Sequence, residues 1–117
     1  MNIHSYKELI VWQKSLLFVK LIYSITKKFP KDEQFGLISQ IRRAAVSIPS
    51  NIAEGYGRRS HKEYKQFYSI AYGSALEVDT QLVISKELGF VSPGEIKMAE
   101  NILDEVIRML YVMIFKR

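Results

Sequence analysis

Residues 39–63 read SQIRRAAVSIPSNIAEGYGRRSHKE and hold a helix-forming run with a proline inside it, a glycine-bracketed turn and the densest positive charge of the chain. Ile38, Ile41, Ala45, Ile48 and Ile52 recur at steps of three and four, which at about 100° per residue places them on one side of a helix. Arg43, Ser47, Asn51 and Glu54 fall on the other side. Pro49 removes the hydrogen bond to the Ala45 carbonyl, but the apolar spacing stays in phase from Ile48 to Ile52, so a kink is expected and not a break. The helix should run from about Glu33 to Glu54, with Asp32 as N-cap and Gly55 supplying the positive φ of a C-terminal cap. Between Arg42 and Lys65 six basic residues (Arg42, Arg43, Arg58, Arg59, Lys62, Lys65) stand against two acidic ones (Glu54, Glu63), a local excess of four. The whole chain carries +5, so the charge is concentrated here.

Working outward, three more amphipathic helices frame this stretch. From about Tyr6 to Lys28, Leu9, Trp12, Leu16, Val19 and Tyr23 form a stripe that Phe18, Ile22, Ile25 and Phe29 widen, and Pro30 ends it. After the glycine turn, Ser60 and Glu63 have the spacing of a capping box. The helix they open carries Tyr64, Phe67, Ala71, Ser74, Val78, Leu82 and Ser85 in one row, with Gly89 as its cap and Phe90 placed to pack back on the last turn. Ser92, Pro93 and Glu95 mark the last start as N-cap, first-turn proline and capping-box acid. Ile96, Ala99, Leu103, Val106, Leu110 and Met113 then step by three and four. No strand pattern, linker or phosphate-binding glycine loop interrupts the chain. The expected fold is all-α, a single domain over residues 1–117, built as an antiparallel up-down-up-down four-helix bundle.

Composition narrows the function classes. A chain of 117 residues is long enough to bury a core unaided, and it has no cysteine. Disulfide scaffolding, thiol catalysis and cysteine-based zinc sites are thereby excluded. Lys7, Glu8 and Lys14 interrupt the N-terminal apolar run, so neither a signal peptide nor a membrane span is expected there, and a soluble cytoplasmic protein is the expected setting. The pI near 9.5 suits an anionic partner, nucleic acid being the commonest.

Catalytic and metal chemistry find little support. His4 lies near the N-terminus, and His61 adjoins Ser60, which is already engaged as a cap. Two distant histidines give no ligand spacing, and the Glu-x-x-His step of di-iron bundles is absent. No catalytic residue, metal or cofactor is expected. The basic turn is the better candidate: Arg58, Arg59 and Lys62 surround a glycine-flexed loop with Tyr56. They offer guanidinium forks for phosphate and an aromatic for stacking, beside a helix start. The same residues also fit a solvated loop.

Two further surfaces stay open. Tyr72, Leu76 and Val83 widen the apolar sector of the third helix, as either a subunit interface or a shielded flank of the core. The stripe Arg43, Ser47, Asn51, Glu54 faces solvent or forms a hydrogen-bonded seam. Seven acids from Glu77 to Glu105 (Glu77, Asp79, Glu87, Glu95, Glu100, Asp104, Glu105) against Lys86 and Lys97 give the chain an acidic half. That half can face the basic one within a bundle or between subunits.

Residues 9–15 (LIVWQKS), 26–60 (TKKFPKDEQFGLISQIRRAAVSIPSNIAEGYGRRS), 62–64 (KEY) and 73–82 (GSALEVDTQL) closely resemble the bacterial four-helix bundle family encoded in intervening sequences of 23S ribosomal RNA genes. The resemblance spans most of the chain, and the run SQIRRAAVSIPSNIAEG is long and unusual. It implies an antiparallel four-helix bundle assembled as a ring-like homopentamer with a basic surface, in a family not known for enzymes. Relatives include the accessory protein of diversity-generating retroelements, thought to bind nucleic acid and a reverse transcriptase. A role in ribosomal RNA processing does not follow from where the genes were found. The expected function is non-enzymatic, oligomeric binding of structured RNA through Arg42, Arg58, Arg59, Lys62 and Lys65. The alternative is a protein-interaction scaffold.

Overall fold

A computed structural model describes residues 5–116. They form four helices, α1 (Ile10–Thr26), α2 (Leu37–Tyr56), α3 (His61–Glu87) and α4 (Pro93–Phe115), of 17, 20, 27 and 23 residues. Single 3-10 turns at Tyr6–Glu8 and Lys31–Glu33 precede α1 and α2, and no strand occurs among the described residues. His4 lies outside them.

Each helix packs on its sequence neighbours and α4 closes back on α1, while neither diagonal pair makes a close backbone approach. Direction follows from which residues meet. Ser47 touches Ser74 and, two turns further along α2, Gly55 meets Tyr68, so α3 runs back along α2. Lys86 pairs with Glu100 and Tyr72 lies against Tyr111, which reverses α4 on α3. Thr26 bonds Arg42 at one end of α1 while Trp12 and Ala53 share a groove at the other. The four-helix bundle is therefore up-down-up-down.

The core row of α1 differs from the expected stripe. Val11, Ser15, Phe18, Ile22 and Thr26 are buried, while Leu16 and Tyr23 stay exposed and Trp12 is half-buried. This helix is apolar on most of its circumference, so two adjacent rows satisfy the same spacing. The true row was disguised by two hydroxyls. Ser15 Oγ donates to the Trp12 carbonyl at 2.8 Å and Thr26 Oγ1 to the Ile22 carbonyl at 2.7 Å, so both are buried without loss of a partner. In α3, Tyr68 and Ala75 take core places expected for Phe67 and Ser74, and in α4 Ile114 replaces Met113.

Helix ends explain three other differences. Gly36, not Asp32, is the N-cap of α2, and Glu33 Oε1 accepts from the Leu37 amide at 3.1 Å. The helix runs through Pro49 and past Gly55 to Tyr56, and Gly57 caps it at φ −78°. Gly55 serves close approach instead: a Cβ there would sit 2.6 Å from Tyr68 Cε1. Gly89 alone among the described residues has positive φ, at 76°. Its amide bonds the Lys86 carbonyl and that of Phe90 bonds Ser85, a Schellman ending that lays Phe90 beside Phe29.

The start of α4 is a reciprocal capping box: Glu95 Oε1 accepts from the Ser92 amide at 2.8 Å and Ser92 Oγ from the Glu95 amide at 3.3 Å. Those bonds from Ser92 hold the Glu95 carboxyl below the ordinary carboxylate range. A depressed folded-state pKa contributes stability above the unfolded value and loses it as pH falls through the folded one. Glu95→Gln should therefore melt below the wild type at neutral pH, with the gap closing as pH falls through the carboxylate range. A gap that stays constant with pH would show that the carboxylate charge is irrelevant to the cap.

Candidate nucleic-acid interface

The α2–α3 turn runs from the Gly57 cap of α2 to the Ser60 cap of α3. The Gly57 amide bonds the Ala53 carbonyl and the Arg58 amide that of Gly55, and α3 begins at His61 after its N-cap Ser60. Ser60 Oγ accepts from the Glu63 amide at 3.1 Å, the first half of the expected box. The amides of that first turn give the site a partial positive charge of its own.

Arg58 is oriented from two sides. Its guanidinium donates to Glu54 at 2.8 Å and lies 4.5 Å over the Phe67 ring. Arg59 and Lys62 are exposed, with no ion-pair partner among the described residues, and Lys65 is half-buried one turn along α3. Behind the cations sits an aromatic cluster. His61 Nδ1 hydrogen-bonds the Tyr64 hydroxyl, the Tyr64 and Tyr68 rings lie 5.6 Å apart, and burial pushes the Tyr68 hydroxyl pKa up, with Tyr64 and Tyr56 adding to it. His61 is thus held by an aromatic partner beside a capping serine. No group of three or more His, Asp or Glu able to hold a metal occurs among the described residues.

Arg42 is not part of this cluster. It lies sixteen residues before Arg58, about four turns up α2. Its Nε donates to buried Thr26 Oγ1 at 2.8 Å, and its guanidinium stacks 4.4 Å over Tyr23. There it ties α2 to the end of α1. Periodicity alone does not separate such a structural arginine from a free one.

The polar stripe of α2 divides. Ser47 Oγ meets Ser74 Oγ at 2.8 Å, and Asn51 Nδ2 donates to the Ser47 carbonyl and hydroxyl at 2.8 and 2.9 Å, making a seam against α3. Arg43 and Glu54 remain exposed. The apolar strip of α3 divides as well. Leu76 and Val83 are 43% and 47% exposed, whereas Tyr72 is half-buried between Tyr111 and Phe115 of α4. Phe35, in the turn before α2, is 96% exposed. The acidic half falls on α3 and α4, where burial, then Glu100 and Asp104, push the Asp79 carboxyl pKa up against the opposing pull of Lys86.

Trp12 has the spacing of a core residue but is half-buried, packed against the outside of the core. With Tyr6 edge-on to it at 5.3 Å, it lines an open groove of about 680 Å³ between α1 and α2 that Arg58 and Glu54 also line. A sequence pattern cannot reveal this, because Trp12 has the spacing of a core residue on the neighbouring row. No helix among the described residues is long and apolar enough to cross a membrane.

Comparison with known proteins agrees with this architecture. The chain is similar to a crystal structure of a protein of unknown function from the S23 ribosomal protein family of Bacteroides thetaiotaomicron. The TM-score is 0.83 at 24% identity, over 91% of this chain and 99% of that one, a likeness of fold. No curated protein matches. The family described as 23S rRNA-intervening sequence protein matches residues 7–112, nearly the whole bundle from the first 3-10 turn into the last turns of α4, and the chain belongs to that family.

Proposed function

We propose that this protein is a non-enzymatic, homo-oligomeric nucleic-acid-binding protein that grips structured RNA through the α2–α3 turn. The observation that carries the reading is the exposure of Arg59 and Lys62 beside an Arg58 already oriented by Glu54 and Phe67, at the capped start of a helix. Cations held on a turn between two packed helices present a fixed spacing to phosphates. Each site is small, so affinity comes from repetition around a ring of subunits, a pentamer by the family resemblance, joined through the exposed Leu76–Val83 strip of α3. A protein-interaction scaffold is the second reading. The exposure of Phe35 favours it, since a large aromatic ring in solvent is the kind of residue that anchors a protein interface.

The test is a binding titration of a labelled ribosomal RNA hairpin at several salt concentrations. Phosphate contacts through Arg58, Arg59 and Lys62 predict a linear fall of log affinity with log salt, with a slope of about −2 to −3 for each engaged subunit. Absence of binding even at low salt would overturn the nucleic-acid reading and leave the scaffold.

A further inference from the structure

We propose that the α1–α2 groove beside the basic turn seats an unpaired nucleobase of the bound RNA, an assignment that rests on the nucleic-acid reading above. The groove's volume of about 680 Å³ lies within the range of small-molecule sites, about 300–1,000 Å³. One wall is aromatic. Tyr6 and Trp12 meet at 5.3 Å with their planes 71° apart, and an edge-on contact of this kind leaves a ring face that the other ring does not cover. Their setting is fixed, for Ser5 caps the 3-10 turn that bears Tyr6 and Gln13 Nε2 donates back to the Lys7 carbonyl at 2.9 Å. The facing wall is Pro49 and Ala53 of α2, flat and small.

The charged lining selects the ligand class. Arg58 and Glu54 line the groove as an ion pair, and Arg59 and Lys62 follow within four residues. A nucleotide joins a flat π-face to a phosphate, which matches an aromatic wall next to cations. Glu54 sets the orientation: its carboxylate repels phosphate but accepts from an exocyclic amino group or a ribose hydroxyl. The base therefore enters past Glu54 and the phosphate stays on the Arg59 and Lys62 side. The more apolar groove between α1 and α4, lined by Leu9, Arg108 and Met113, lacks this combination, since no aromatic ring lines it. A fully paired duplex can reach the cations of the turn, but its bases are stacked and cannot enter the groove.

Trp12 is the chain's single tryptophan, so its emission reports on the groove directly. The protein is titrated with an RNA hairpin bearing an unpaired purine loop and with a blunt duplex of equal length, following both the labelled RNA and Trp12 emission. The expected result is that both bind, that the hairpin alone quenches Trp12, and that it binds about tenfold tighter. Ala53→Phe, verified as helical, fills the groove and should bring the two affinities together. Equal affinities with unchanged Trp12 emission would overturn the nucleobase site while leaving phosphate binding standing, and so would an Ala53→Phe protein that keeps the hairpin preference. If neither RNA binds, both the site and the nucleic-acid reading it rests on are overturned.

Discussion

Replacing Gly55 by leucine should destabilise the bundle by about 3 kcal/mol, the upper end of the usual cost of overpacking. The α2–α3 contact is close at this point. A Cβ on Gly55 would meet Tyr68 Cε1 at 2.6 Å, Tyr68 Cδ1 at 2.8 Å and Phe67 Cβ at 3.2 Å. The Tyr68 ring cannot swing out cheaply, because it is 7% exposed and lies against Tyr64, and Phe67 Cβ moves only with its backbone. Even alanine should cost net stability here, although it regains about 1 kcal/mol of helix propensity. Gly73 is the control within the same helix pair, since a Cβ there meets nothing within 4 Å. Gly73→Ala should therefore stabilise by about 0.5–1 kcal/mol. Urea unfolding of the four proteins decides the matter. Equal midpoints for the two alanine variants would mean that α2 and α3 do not approach this closely.

The same two glycines show what the chain's pattern discloses and what it hides. Helix number, order and antiparallel connection were legible because Pro30, Ser60, Gly89, Ser92 and Pro93 punctuate the apolar periodicity with local chemistry that tertiary packing does not override. Gly55 was legible only as punctuation. Glycine serves a cap and a close helix contact equally well, and the difference lies in a tyrosine thirteen residues away in sequence. The row assignment in α1 failed for a related reason. Trp12 and Leu16 offer more apolar surface than Ser15 and Thr26, yet the hydroxyls fold back on their own helix and leave Phe18 and Ile22 to define the buried face. The candidate site followed suit: Arg58, Arg59 and Lys62 were visible as a charge cluster. The Thr26 and Tyr23 contacts that remove Arg42 from it, and the groove walled by Trp12, depend on which helix lies beside which.

Reversing the charge of Arg59 and Lys62 together, as Arg59→Glu and Lys62→Glu, should weaken RNA binding by at least about 100-fold at low salt and flatten the salt slope by about 2. These two are the informative choices because both are exposed, with no ion-pair partner among the described residues, so their replacement breaks no ion pair there. Reversal of Arg58 is harder to interpret. It would remove the Glu54 pair and the contact over Phe67 and set two carboxylates against each other, mixing a packing effect with a lost phosphate contact. Multiplicity makes the expected loss large, since a ring repeats each change in every subunit. Leu76→Asp with Val83→Asp isolates that contribution: light scattering should fall to the 13.6 kDa of a single chain, and affinity should fall with it although the basic turn is untouched. A wild-type protein already at 13.6 kDa would reject the ring. An oligomer that binds RNA as before after reversal at Arg59 and Lys62 would remove the turn from the interface, and the exposed Phe35 would then direct attention to a protein partner.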